Sequence, residues 1–97
     1  MNVVLIFDVS ENAFPLVRET MRAKGYYYNW NANDKLYILP QNIVWKPNIE
    51  FLQAKTDLSE AIQTLNTARI AAGQSVIELL RYVALSATPW DAIQGKP

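Results

Sequence analysis

Asp8 is the one acidic side chain that the sequence places at the end of a strand expected to lie at the centre of a sheet. In a symmetric dimer, two such carboxylates could jointly hold a Mg²⁺ or Mn²⁺ ion through oxygen ligands. In the simpler interpretation, Asp8 caps the following helix or closes the strand–helix turn. We prefer the simpler one, with no metal and no cofactor, because no other acid has a spacing that points it at Asp8.

Aromatic side chains are the second group that could bind a ligand, since six of the eight Tyr and Trp residues fall within residues 26–45. Such rings stack on unpaired bases or planar ligands. They also anchor protein interfaces, or simply fill a core. We favour an interface, and we expect its binding residues to be Tyr27, Trp30, Tyr37 and Trp45.

Composition excludes several kinds of catalysis. The chain has no cysteine and no histidine, which removes thiolate nucleophiles, Ser-His-Asp and Cys-His mechanisms, and zinc sites of the usual type. Nine Lys and Arg balance nine Asp and Glu, so the strong basic footprint of most nucleic-acid binders is missing. Nucleic acid is therefore a possible partner, but composition does not favour it.

Length and hydropathy predict a single domain over residues 1–97. An acidic residue stands at position 8, no basic leader precedes it, and no apolar run approaches the roughly 18 to 20 residues that span a bilayer. We therefore expect a cytoplasmic protein without a membrane partner.

The first half of the chain predicts a strand, a helix and a hairpin. Residues 3–9 are apolar on both faces of a strand, which is typical of a central strand. Ser10 or Asn12 is expected to cap a helix that Gly25 ends. Residues 26–30 and 35–39 are strand-prone around a polar turn, and Pro40 predicts a bulge or an edge before the chain resumes at residues 43–45.

Alternation along the strand at residues 26–30 separates the rings. It places Tyr26, Tyr28 and Trp30 on one face of the sheet and Tyr27 on the other. On this pattern, the core and an interface each receive part of the aromatic cluster.

The second half predicts a loop over residues 46–56 and then a helix, with Asp57 and Glu60 as a capping box and Gly73 as the end. Residues 76–87 suit either a strand or a third helix. We choose the strand, because the first strand would otherwise lie at an exposed edge. Trp90 and Ile93 are expected to fold back onto the sheet.

The resulting order is β-α-β-β-α-β, which defines an α+β fold of ferredoxin-like topology, an antiparallel sheet with two helices on one face. The helices cover only one face, yet the first strand and the aromatic hairpin carry apolar residues on both. We expect the second face to be covered by a protein, most economically by a second copy of the same sheet.

Three features occur together in residues 2–45: the run Val3-Val-Leu-Ile-Phe-Asp-Val-Ser10, a helix closed by Gly25-Tyr26, and an aromatic hairpin. They resemble the opening of small ferredoxin-like families, namely the CRISPR-associated adaptation nucleases, the VapD-type ribonucleases, and the SinR-like and GhoS-like small proteins. The resemblance implies a homodimer and, for the nuclease members, a metal bound near Asp8. This chain differs from them in its neutral charge and in the region of Pro40 and Trp45.

The sequence therefore predicts a binding or regulatory module that acts through protein–protein contact at an aromatic sheet face, and it assigns no enzymatic reaction. One alternative is a metal-dependent, ribonuclease-like dimer that uses Asp8. Another is a binder of single-stranded nucleic acid that uses Tyr27, Trp30 and Tyr37.

Overall fold

The computed structural model describes residues 1–32 and 34–87, so the prediction for Trp90 and Ile93 lies outside the described residues. The elements in chain order are β1 (Val3–Val9), α1 (Phe14–Ala23), β2 (Asn29–Ala32), β3 (Lys35–Ile38), β4 (Ile43–Lys46), α2 (Phe51–Ala71) and β5 (Leu79–Ser86). The α+β class and the ferredoxin-like order of elements are confirmed. The strand arrangement differs in detail, because the aromatic hairpin forms a separate two-stranded sheet.

β1 lies between β4 and β5 in a three-stranded sheet, and both pairings are antiparallel. Leu5 at its centre is opposite Val44 on one side and Ala84 on the other. The prediction of a strand within residues 76–87 is confirmed by β5. The reason for that prediction is confirmed too, because β1 is apolar on both faces and has a neighbouring strand at each edge.

The hairpin β2–β3 joins the main sheet through one bridge, between Tyr27 and Trp45. Asn29 is opposite Ile38, a register that would bring Tyr27 opposite Pro40. Tyr27 instead pairs with Trp45, so the returning chain holds five extra residues. The predicted interruption at Pro40 is confirmed, and β3 and β4 together take the place of one long strand.

Both helices pack on the face of the sheet that β1 forms with its odd-numbered residues. This core buries side chains from the sheet and from both helices almost completely: Val3, Leu5, Phe7, Val44, Val17, Met21, Ala54, Leu58 and Ala61. Burial of that apolar surface is the main force that holds the two layers together.

The cap predicted for α1 is wrong. Ala13 occupies the cap position and no side chain caps the helix, so neither Ser10 nor Asn12 is the cap. Ser10 instead accepts a hydrogen bond from the Glu78 backbone N–H at 2.8 Å, which ties β1 to the start of β5. The end of α1 is as predicted, because Gly25 has a φ of 95°, a conformation that favours glycine.

α2 begins at Phe51, so the prediction of a loop through residue 56 is wrong, as is the capping box at Asp57 and Glu60. Asp57 lies in the second turn of the helix with its side chain buried. The helix extends towards its amino terminus because Ala54 of the added segment packs in the core, and Asp57, which follows that segment, is buried as well. Its end is as predicted, since Gly73 follows with a φ of 72°.

Candidate functional site

An apolar surface covers the side of the main sheet opposite the helices, and we call it the open face. Cross-strand register builds it, because directly opposite residues share a face. Its side chains come from β1, β4, β5 and the residue that bridges the hairpin: Val4, Ile6, Ile43, Trp45, Val83, Leu85 and Tyr27.

Three large apolar side chains of the open face reach solvent within the described chain. Val83 is 51%, Tyr27 48% and Leu85 44% exposed. Val4 at the centre is only 4% exposed, although neither helix lies on that side. It is shielded by its neighbours across the strands, Trp45 and Leu85. A contiguous apolar patch on a small monomer commonly marks an interaction site, so this face is the candidate site.

Trp45 organises the aromatic cluster. Its ring centroid lies 4.9 Å from that of Tyr27 and 4.7 Å from that of Trp30, the latter in an edge-to-face arrangement. The indole Nε1–H donates to the Asn29 carbonyl at 2.8 Å. Aromatic pairs of this kind contribute about 0.5–1.5 kcal/mol beyond the area that they bury. Trp45 therefore joins the hairpin to the sheet.

The four predicted binding residues differ in how accessible they are. Tyr27 and Tyr37 are each 48% exposed, Trp45 is half-buried, and Trp30 is only 7% exposed. The structure thus brings Tyr27, Trp30 and Trp45 together at the open face. Tyr37 lies on the hairpin, opposite Trp30. Of these four residues, Tyr27 and Tyr37 are the ones most available to a partner.

The predicted alternation of rings is wrong at Trp30. Tyr26 is in the core and Tyr28 packs against it, as alternation requires, but Trp30 contacts Trp45 of the open face. The strand is irregular at Tyr28, between the bridge at Tyr27 and the first residue of β2. Together with the five extra residues on the returning chain, that irregularity separates the hairpin from the main sheet as a two-stranded sheet of its own.

Asp8 forms an ion pair across two strands and does not cap a helix. Its Oδ2 lies 3.0 Å from a guanidinium nitrogen of Arg81, the residue directly opposite on β5. Among the described residues, no group of three or more acidic side chains could hold a metal ion. The prediction that Asp8 caps the first helix is wrong, because no side chain caps α1. A lone aspartate gives no local signal of a partner so distant in sequence.

A buried hydrogen-bonded pair joins Tyr26, which follows α1, to Asp57 of α2, and no local pattern predicted it. The Tyr26 hydroxyl donates to Asp57 Oδ2 at 2.8 Å, and Gln53 Nε2 donates to Asp57 Oδ1 at the same distance. Burial, and then the hydrogen bond to Asp57, raise the pKa of Tyr26 well above its usual value of 10.0. The amine of Lys46 lies 5.4 Å from the centre of the Tyr26 ring.

The raised pKa of Tyr26 predicts a loss of stability at alkaline pH. In the unfolded chain the hydroxyl ionises near pH 10, whereas in the folded chain it keeps its proton. Above pH 10 the unfolded state therefore binds fewer protons, and this group lowers the free energy of unfolding by about 1.4 kcal/mol per pH unit. Its contribution is fully present below pH 10.

Urea unfolding from pH 9 to 11 checks this expectation. The Tyr26→Phe variant should lose stability with pH less steeply than the wild type. Tyr37→Phe, which leaves the Tyr26 hydroxyl in place, should keep the wild-type slope. Equal slopes for the wild type and Tyr26→Phe would contradict the prediction.

Comparison with known proteins found no matching family model, no matching curated protein and no matching solved structure. Neither helix of the described chain is long and apolar enough to cross a membrane.

Proposed function

We propose that this protein is a small binding or regulatory module that self-associates through its open face. The observation that carries the proposal is the exposure of Val83, Leu85 and Tyr27 beside the well-shielded Val4. Removing apolar surface from water contributes roughly 25 cal/mol per Å², so covering this face would add stability that a small domain needs.

A second copy is the partner that the open face suits best. A dimer with two-fold symmetry brings the same patch together from both chains, and an apolar patch is complementary to itself. The one ion pair at this face, Asp8 with Arg81, is neutral within each chain. The whole chain has a formal net charge of zero, so two copies do not repel each other. The family resemblance of residues 2–45 implies the same state.

The two alternatives have less support. A metal-dependent ribonuclease would need the carboxylate of Asp8, which the guanidinium of Arg81 already engages at 3.0 Å. A nucleic-acid binder would need cations beside the exposed rings. Lys46, which follows Trp45 in the chain, instead donates to the Lys24 carbonyl at 2.9 Å. The module therefore has no assigned reaction and no assigned cofactor.

Light scattering coupled to size-exclusion chromatography tests the proposal. The wild type should have twice the chain mass of 11.0 kDa. Leu85→Lys should have the mass of one chain, because a charge within the apolar contact must lose its hydration to be buried. Ile70→Lys is the matched control, since Ile70 is an exposed apolar residue of α2 on the other side of the molecule. A monomeric wild type would refute the proposal.

A further inference from the structure

In the described part of the chain, β5 is an edge strand of the main sheet. The Ala87 N–H donates to the Asn2 carbonyl at 3.0 Å, which sets the phase of the β1–β5 ladder. Because the direction of these groups alternates along an antiparallel strand, those of Tyr82, Ala84 and Ser86 point away from β1. Within the described residues no strand pairs with them.

From Tyr82 to Ser86, β5 lacks the usual devices that prevent a sheet edge from pairing. Leu79–Ser86 contains no proline and no lysine. The single charge of β5, Arg81, has a side chain that is 82% exposed, and it lies with the register shift of the β1–β5 ladder before that stretch. Natural edges are commonly blocked by such residues, and an unblocked edge is a template for another strand. β5 is therefore suited to accept a strand.

We propose that the second copy adds to the sheet along β5, antiparallel to β5 of the first copy and centred on Ala84. This inference rests on the proposed self-association and narrows the contact to the β5 border of the open face, where Val83 and Leu85 lie, so that the rest of that face stays uncovered. A strand paired antiparallel with its own copy obeys two-fold symmetry, so each hydrogen bond occurs twice. The outward groups then meet one another, with Ala84 opposite the partner's Ala84 and Tyr82 opposite the partner's Ser86.

Side chains favour this register over those centred on Val83 and on Tyr82. With Ala84 at the centre, Val83 is opposite the partner's Leu85, and Leu85 is opposite the partner's Val83. These are the exposed residues of the open face on β5, and the pairing shields them. Centring on Val83 would place Arg81 opposite the partner's Leu85, and centring on Tyr82 would place Arg81 opposite the partner's Val83.

The pairing joins two three-stranded sheets into one of six strands. Its two-fold axis is perpendicular to the sheet, so all four helices lie on one side. The two open faces lie side by side on the other. Tyr27, which bridges to β4 at the far border of each open face, stays outside the contact.

Single cysteines test the register, because the natural chain has none. Val83→Cys and Leu85→Cys chains are mixed while reduced and then oxidised. Opposite residues at a pair without mutual hydrogen bonds have Cα atoms about 4.5 Å apart, within the range that a disulfide spans. The mixture should therefore form a mixed disulfide dimer. Each variant alone should not, because its two cysteines lie about 8 Å apart on the diagonal.

A proline and a lysine substitution distinguish pairing along β5 from contact through the rest of the open face. Ala84→Pro removes an outward N–H, which the chain's own sheet does not use, so the variant should fold and its dimer should dissociate at least tenfold more readily. Tyr27→Lys should remain a dimer. A dimer that survives Ala84→Pro but dissociates with Tyr27→Lys would overturn the β5 pairing and leave self-association through the open face intact. A monomeric wild type would overturn both.

Discussion

Asp57→Ala is expected to lower the free energy of unfolding by about 3 kcal/mol, as measured by urea unfolding at neutral pH. Asp57 accepts hydrogen bonds from Tyr26 and Gln53, both at 2.8 Å, and its side chain is buried. Alanine would leave the Tyr26 hydroxyl buried without an acceptor. An unsatisfied buried polar group costs about 1–3 kcal/mol, and the space vacated by the carboxylate adds to that penalty.

Two further variants separate this pair from a general effect on α2. Tyr26→Phe should cost about 1.5–3 kcal/mol, because a hydrogen bond to a charged group is lost. Combined with Asp57→Ala, it should cost less than the sum of the two single changes, since each removes the same bond. Glu60→Ala, which breaks only an exposed ion pair with Lys24, should cost about 1 kcal/mol or less. An Asp57→Ala effect no larger than that of Glu60→Ala would contradict the expectation.

The fold could be predicted at positions where a residue pattern is compatible with only one structure. β1 is apolar on both faces, so it required a neighbour at each edge, and this requirement identified β5 although its local sequence also suited a helix. Gly25 and Gly73 follow their helices with positive φ angles, which few other residues adopt readily. The glycines are local features, and the position of β1 follows from the number of strands. Neither prediction therefore required knowledge of a tertiary contact.

The wrong predictions concern side chains whose hydrogen-bonding or ion-pair partner lies far away in the sequence. Asp57 followed by Glu60 has the spacing of a capping box, but the same two residues can also occur within a helix. What places Asp57 inside α2 is the Tyr26 hydroxyl, 31 residues away. The partner of Asp8 is similarly remote, on β5, so the nearby helix looked like the simpler use of its carboxylate. Pattern alone cannot distinguish these cases.

The sequence predicted an apolar second face of the sheet, but it predicted only some of the residues that form this face. A second apolar face on the sheet followed from β1 and the hairpin, and the structure has such a face. The place of Trp30 in it did not follow, because alternation holds only while a strand remains regular, and Tyr28 interrupts it. The most exposed residues of the open face on β5, Val83 and Leu85, carried no signal beyond being apolar strand residues.

Trp45→Ala is expected to lower the free energy of unfolding by about 3–5 kcal/mol and to loosen the hairpin β2–β3. The indole contacts Tyr27 and Trp30 and donates to the Asn29 carbonyl, so three attachments of the hairpin are lost together. A two-stranded hairpin without such attachments is only marginally stable in water. The hairpin should therefore open more often than the rest of the sheet.

Amide hydrogen exchange distinguishes this local opening from a uniform loss of stability. The Leu39 N–H, which donates to the Tyr28 carbonyl at 3.0 Å, should lose more protection in Trp45→Ala than the amides of β1. Trp45→Phe keeps a ring against Tyr27 and Trp30 but loses the Nε1 donor, so it should cost about 1 kcal/mol and leave the hairpin attached. Equal losses of protection in the hairpin and in β1 would show that Trp45 supports the whole fold and not this attachment. In that case a change in dimer mass caused by Tyr27→Lys could not be assigned to the interface, because Tyr27 packs on the same indole.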